Sequence, residues 1–327
     1  MRMPLWTLIV PAVALPLAGF ALAVPPGPAL ALLCALFLCA AVLASVHHAE
    51  VVAHRVGEPF GTLILAVSVT VIEVALIVSM MLAGGLKHHV QSFRLEGATS
   101  ALAALIVMAT LSLVLPVFTT SVPGPDFYST SQLAFAAVAS LALWAVFVFV
   151  QTVRHRDYFL PPGNGGDEAV HAPPPSAGLA WASFGLLVVS LLAVIGLAKT
   201  LSPTIERVVA SAGLPPTVIG IVIAMLVLAP ETWAAVRAAR SDRLQTSLNL
   251  ALGSALASIG LTFPAVAILS IALDRPLRLG LTPKDLVLLA LTFAVGAITL
   301  GTGRTNVLQG AVHLLIFAAF VFLAIVP

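Results

Sequence analysis

The stretch Gly57–Ala83, GEPFGTLILAVSVTVIEVALIVSMMLA, decides how this chain is read. Its apolar run exceeds the roughly 20 residues needed to cross a bilayer. One carboxylate, Glu73, lies near its middle. An ionised acid at the centre of a membrane helix costs about 2.5–3.5 kcal/mol on insertion scales and usually marks an ion or proton path. A helix meant only to span would carry an aliphatic residue there. The carboxylate therefore reads as the purpose of this helix and the remaining chain as its housing.

Composition supports a membrane setting. Hydrophobic residues make up 60% of the 327 and charged residues 9%, against about 25% charged in a soluble domain. The expected fold is all-α and polytopic, embedded in a lipid bilayer. The formal net charge of +2 gives no footprint for nucleic acid. Cys34 and Cys39 lie in an apolar run and lack Cys-x-x-Cys spacing, so neither a zinc site nor a disulfide framework is expected. Residues 5–24 could be a cleaved signal peptide behind Arg2, but a second apolar run follows after a short Pro/Gly turn, which favours a first membrane helix.

Runs of spanning length fall at 5–24, 29–46, 58–83, 97–118, 130–153, 179–198, 214–240, 247–273, 285–301 and 305–327. That is about ten transmembrane helices. The Pro/Gly-rich segment 154–178 separates them into two blocks and reads as a mobile cytoplasmic linker. The expected organisation is an extra helix over 1–28, a first repeat over 29–153, the linker, and a second repeat over 179–327.

The blocks echo one another. EVVAHRVGEP, from Glu50, and ERVVASAGLP, from Glu206, share the spacing of Glu, Gly and Pro. Each precedes an apolar helix with one central acid, Glu73 in the first and Glu231 in the second. Gln132–Val150 also resembles Gln309–Leu323. Such duplication is the usual architecture of secondary transporters, with the site at the midplane between repeats. The first repeat is one helix short. Glu231 is followed by the basic loop RAARSDRLQ and the helix SLNLALGSALASIGLTFPAVAIL, whereas Met81 is followed by LAGGLKHHVQSFRLEG and then by a helix resembling 285–301. Loop charges agree, because Arg55 on one side of the Glu73 helix and Lys87 and Arg94 on the other all favour the cytoplasm. A further crossing between Ala83 and Lys87 would resolve the conflict. It would place Arg154, Arg156, Arg240 and Arg243 in the cytoplasm and 119–129 outside, with 274–284 as an exception.

Two carboxylates from related helices can hold a cation together and take up protons when it leaves, since like charges in proximity raise one pKa. Glu73 and Glu231 are the candidate pair; each could instead cap a polar contact between helices. Asn249, Ser254 and Ser258 offer oxygens suited to hard cations, though Gly253 and Ala257 beside them suit close helix packing. Thr70 lies one turn before Glu73 and could add an oxygen. Pro230 would kink its helix and free a carbonyl. Glu50 and Glu206, near helix ends, are candidate accessory acids or ordinary interfacial ones. His47, Glu50 and His54 share one helical face, as a proton relay, a metal site or interfacial polar residues. His88 and His89 read as solvated.

GEPFGTLILAVSVTVIEVALI, RAARSDRLQTSLNLALGSALASIGLTFP and TGRTNVLQGAVHLLIFAAFVFLAIVP closely resemble the ChaA-type calcium/proton antiporters of the cation/calcium exchanger superfamily, over nearly the whole chain. The resemblance implies a bacterial inner-membrane protein of eleven helices, one extra and then two inverted five-helix repeats, which exchanges calcium, sodium or potassium for protons. It implies no cofactor and no catalytic residues. Its acidic site positions match Glu73 and Glu231, and its small polar helix matches Asn249–Ser258. Many exchangers carry Asn three residues before the site Glu; this chain has Thr70 and Leu228, so strict calcium selectivity does not follow. The helix absent after Glu73 is present in the family, and its place falls near Gly84–Gly85. The alternative is an inactive or regulatory membrane homologue that lost transport with that helix. A channel is a third class, and the absence of G-x-x-x-x-G-K disfavours a primary pump.

Overall fold

The computed structural model describes residues 4–24, 26–56, 90–121, 126–160, 176–215 and 217–326. Among these are nine helices: α1 (Leu5–Ala23), α2 (Pro28–Val56), α3 (Leu95–Val117), α4 (Thr130–Arg154), α5 (Ala177–Ser211), α6 (Thr217–Arg240), α7 (Leu244–Ala272), α8 (Pro283–Leu300) and α9 (Val307–Ile325). Among the described residues, eight spans are long and apolar enough to cross a membrane. The expected helix at 58–83 and the Gly84–Gly85 junction lie outside the described residues.

Two of the expected boundaries move. The run expected to end at 46 continues as helix to Val56, past Ser45 and His48, which are buried and bonded to backbone carbonyls. The run expected to end at 198 continues to Ser211 through Pro203, with Thr200 donating to the Gly196 carbonyl.

The chain divides into two compact units. The first draws on residues 1–72, 165–233 and 321–327. Its core joins α1, α2 and α5 through Ala14, Ala18, Ala21, Cys34, Leu38, Ala193 and Leu197. Alanine predominates here because helices in lipid associate by close backbone approach, not by expelling water. A Cβ on Gly196 would stand 2.9 Å from that of Ala18, so glycine sets that crossing.

The second unit draws on 73–164 and 234–320. One end carries a short antiparallel ribbon, β1 (Val90–Ser92) against β2 (Arg304–Asn306), in register Val90↔Asn306 and Ser92↔Arg304. From this ribbon end α3 runs away, and α8 returns to it. At the opposite end the 126–129 and 274–282 loops meet. The Leu279 N–H donates to the Asp126 carbonyl at 2.8 Å, and the Arg278 guanidinium pairs with the Asp126 carboxylate at 2.9 Å. The basic segment 274–284 therefore shares an end with 119–129, and Asp126 offsets one of its three cations. Arg94, Arg154, Arg156, Arg240, Arg243 and Arg304 mark the ribbon end. Tyr128 is held at the opposite end by donating to the Leu111 carbonyl at 2.7 Å, and burial pushes its phenol above the ordinary value.

Of the linker expected over 154–178, residues 161–175 lie outside the described residues, and its opening is folded. Helix α4 ends in a wide turn over Val150–Arg154, and Arg156–Phe159 forms a tight helical turn. Phe159 is buried edge-on against Phe147, with ring centroids 5.8 Å apart. An aromatic residue with an apolar wall available stays on it, whatever the composition of the segment that follows. A Cβ on Gly97 would collide with the Tyr158 carbonyl, so α3 also meets this turn backbone to backbone.

Candidate functional site

Glu73 and Thr70 lie outside the described residues. Glu231 and Pro230 lie within α6, and Glu50 and His54 within α2, known by their backbone alone. Glu206 is exposed near the end of α5, where it accepts a hydrogen bond from Ser202 at 3.0 Å. That geometry suits an interfacial acid. His47 is half-buried with its ring 6.0 Å from that of Trp6.

The described part of the site is α7. Its buried residues set the polar and small Gln245, Ser247, Ala251, Ser254 and Ala257 among four leucines, Leu244, Leu248, Leu252 and Leu256. Ser247 donates to the Ala235 carbonyl at 2.7 Å, tying α7 to the end of α6. Ser254 is buried, and Ser258 opens a five-residue π-turn, Ser258–Thr262, immediately before Pro264. Proline removes a donor from the helical ladder, and such wide turns recur at functional positions in helices. A Cβ on Gly260, inside this turn, would come within 2.5 Å of the Trp144 Cβ. The turn is thus pressed against α4.

Asn249 is bonded through both ends of its amide. Its Nδ2 donates to the Phe159 carbonyl at 2.5 Å and its Oδ1 accepts from Gln245 Nε2 at 2.8 Å. The sequence pattern singled out Asn249 but not Gln245, although the two stand four residues apart on one helix face. Two buried histidines were also missed. His48 donates through Nε2 to the Thr7 carbonyl at 2.9 Å, and His313 is bonded to the Thr299 hydroxyl at 3.0 Å. A polar residue in a long apolar run was the available signal for both.

The expected likeness of Gln132–Val150 to Gln309–Leu323 has a local counterpart. The Ser129 N–H donates to Gln132 Oε1 and the Gln132 N–H to Ser129 Oγ. The Asn306 N–H donates to Gln309 Oε1 and the Gln309 N–H to Asn306 Oδ1. Both are reciprocal caps. Helix α4 starts at the loop end of the unit and α9 at the ribbon end, so the two caps face opposite ways.

Comparison with known proteins places these features in a wider group. The profile of the sodium/calcium exchanger protein family matches residues 182–326. The chain is 47% identical to the putative ionic transporter y4hA of Sinorhizobium fredii (strain NBRC 101917 / NGR234), covering 100% of this chain and 97% of that one. It is 32% identical to the sodium-potassium/proton antiporter ChaA of Escherichia coli (strain K12), covering 89% and 87%. Among solved structures, native YfkE superposes with a TM-score of 0.70 at 18% identity, over 98% of this chain and 100% of that one. The first alignment runs over 361 residues while this chain supplies 327. At least 34 positions of that relative, 361 less 327, therefore face gaps inside this chain.

Proposed function

This chain belongs to the sodium/calcium exchanger protein family, and from that premise we propose that it is a secondary cation/proton antiporter. It exports calcium, and sodium or potassium, from the cytoplasm in exchange for protons. It is a transporter and not an enzyme. Glu73 and Glu231 form the shared cation/proton site, with Thr70, Asn249 and Ser254 adding neutral oxygens. Ser258, Glu50 and Glu206 are accessory. The observation that carries this reading is the α7 segment: a helix that buries Gln245, Ser247 and Ser254 among leucines and alanines, is bonded to the end of the Glu231 helix through Ser247 and is interrupted by a π-turn at Ser258. Neutral oxygens beside a carboxylate suit a hard cation, and a carboxylate can trade that cation for a proton. The ribbon end, rich in arginine, faces the cytoplasm of a bacterial inner membrane by the positive-inside rule.

A second reading is favoured by one specific observation. The 34 unmatched positions are enough for a membrane helix and a connecting loop, and α7 has no counterpart among the described residues of the first repeat. The form with 327 residues then carries the family's chemistry but exchanges weakly or not at all, because a helix that should flank Glu73 is absent near Gly84–Gly85. Everted vesicles separate these possibilities. Addition of calcium, sodium or potassium collapses a proton gradient if the chain exchanges ions. An inert homologue leaves the gradient intact, and a channel conducts without coupled proton flux.

A further inference from the structure

The amides of Gln245 and Asn249 belong to a hydrogen-bond chain that runs in one direction. The Arg94 backbone N–H donates to Gln245 Oε1 at 2.6 Å, Gln245 Nε2 donates to Asn249 Oδ1 at 2.8 Å, and Asn249 Nδ2 donates to the Phe159 carbonyl at 2.5 Å. A backbone N–H only donates and a backbone carbonyl only accepts, so both ends impose the same order. Turning either amide over would set oxygen against oxygen at one joint and nitrogen against nitrogen at the other. Gln245 is 1% exposed, so water does not relieve such a mismatch. Beside it Gln91, on β1, donates to the Ala239 carbonyl and to Asp242 Oδ1, which steadies the turn between α6 and α7.

We propose that Gln245 is the positioning residue of α7. It turns the Asn249 oxygen toward itself, leaving one lone pair of that oxygen for a hard cation, and through Asn249 it fastens the opening of the linker to the transport helix. The cation-facing part rests on the reading of Asn249 as a ligand; the fastening part does not. Cation and linker then share one amide, so occupancy of the site and docking of the linker favour each other, as linkage requires.

The test uses the purified full-length chain in lipid nanodiscs, with Gln245→Leu, Gln245→Glu and Asn249→Ala. Proteinase K cleavage within 154–160, read by mass spectrometry against cleavage at 205–208, reports the fastening. Calcium affinity, read by calorimetry against the parent chain at the same pH, reports the positioning. Gln245→Leu speeds cleavage and weakens calcium, each by about tenfold, the size of one lost hydrogen bond. Gln245→Glu does both at pH 9 and neither at pH 5, because only a protonated carboxyl can donate to Asn249. A purely structural role would give no such pH dependence. Unchanged cleavage in Gln245→Leu overturns the proposal, whether or not calcium binds. Faster cleavage in Asn249→Ala with unaltered calcium affinity overturns the ligand reading of Asn249 and leaves the fastening in place. Weaker calcium in Asn249→Ala but not in Gln245→Leu overturns the positioning.

Discussion

Residues 95–154 and 244–320 build the second unit from opposite ends. Helix α3 leaves the ribbon end and α8 returns to it; α4 starts where the 126–129 loop lies and α9 starts at β2. Each of the last two opens on the same reciprocal cap, Ser129 with Gln132 and Asn306 with Gln309. An inverted pair, as proposed from the sequence, would run this way. Among the described residues the halves differ in one element. The later half holds α7, which packs against both α3 and α4, and its earlier counterpart would stand between 83 and 90, where only LKHH and two glycines remain. On the proposed repeat, the missing part is the flank of Glu73 and not the scaffold that follows it.

The largest effect should come from the carboxylates. In any form of this chain that exchanges ions, Glu73→Gln and Glu231→Gln each abolish cation-evoked proton movement while the protein remains in the membrane, and Glu50→Gln is milder. Normal exchange in either glutamine variant removes that residue from the site and breaks the symmetry between the halves.

Protons and cations compete for the same carboxylates, so a group that must be ionised to bind the cation loses affinity as pH falls through its pKa. Apparent cation affinity, measured as half-saturating calcium across about pH 6–9, a window that brackets a carboxylate raised by burial, should weaken toward the acid side. A flat profile contradicts a shared site.

Close approaches come next. Gly260→Val sets a branched side chain against Trp144, and Gly97→Val sets one against the Tyr158 carbonyl. Overpacking typically costs about 1–3 kcal/mol, so both should lower the midpoint of thermal unfolding in detergent, measured by tryptophan fluorescence. An unshifted midpoint for Gly260→Val would show that α7 does not press on α4.

The bilayer class, most spans and the partial likeness of the halves were legible in the sequence, because hydropathy over 20 residues and repeated Glu–Gly–Pro spacing survive without coordinates. The length of α2 and α5 was not, since their ends rely on buried polar contacts such as His48 with the Thr7 carbonyl. The folded opening of the linker was not legible for a related reason. Proline and glycine dominate 161–175, but Phe159 finds an apolar wall in Phe147 before that composition begins. Asn249 was legible as polar on an apolar helix; Gln245, which orients it, was hidden among the polar residues of a loop. The placement of Glu73 against Glu231 depends on 57–89 and stands on the repeat alone.

The smallest effect tests the pairing of halves most locally. Gln132→Ala and Gln309→Ala each remove one side of a reciprocal cap, worth about 1 kcal/mol. Equal decreases in thermal midpoint mark the caps as equivalent. A decrease in only one would show that the likeness of α4 and α9 is confined to sequence.

The most direct test compares two chains in everted vesicles: the 327-residue form, and the same chain with a helix patterned on Ser247–Leu269 inserted between Gly84 and Gly85. On the reading that a helix flanking Glu73 is absent, cation-evoked collapse of the proton gradient is weak or absent in the first and clear in the second, for calcium, sodium or potassium. Full exchange by the chain without the insertion contradicts that reading and supports the antiporter as it stands; absence of collapse in both chains contradicts the antiporter.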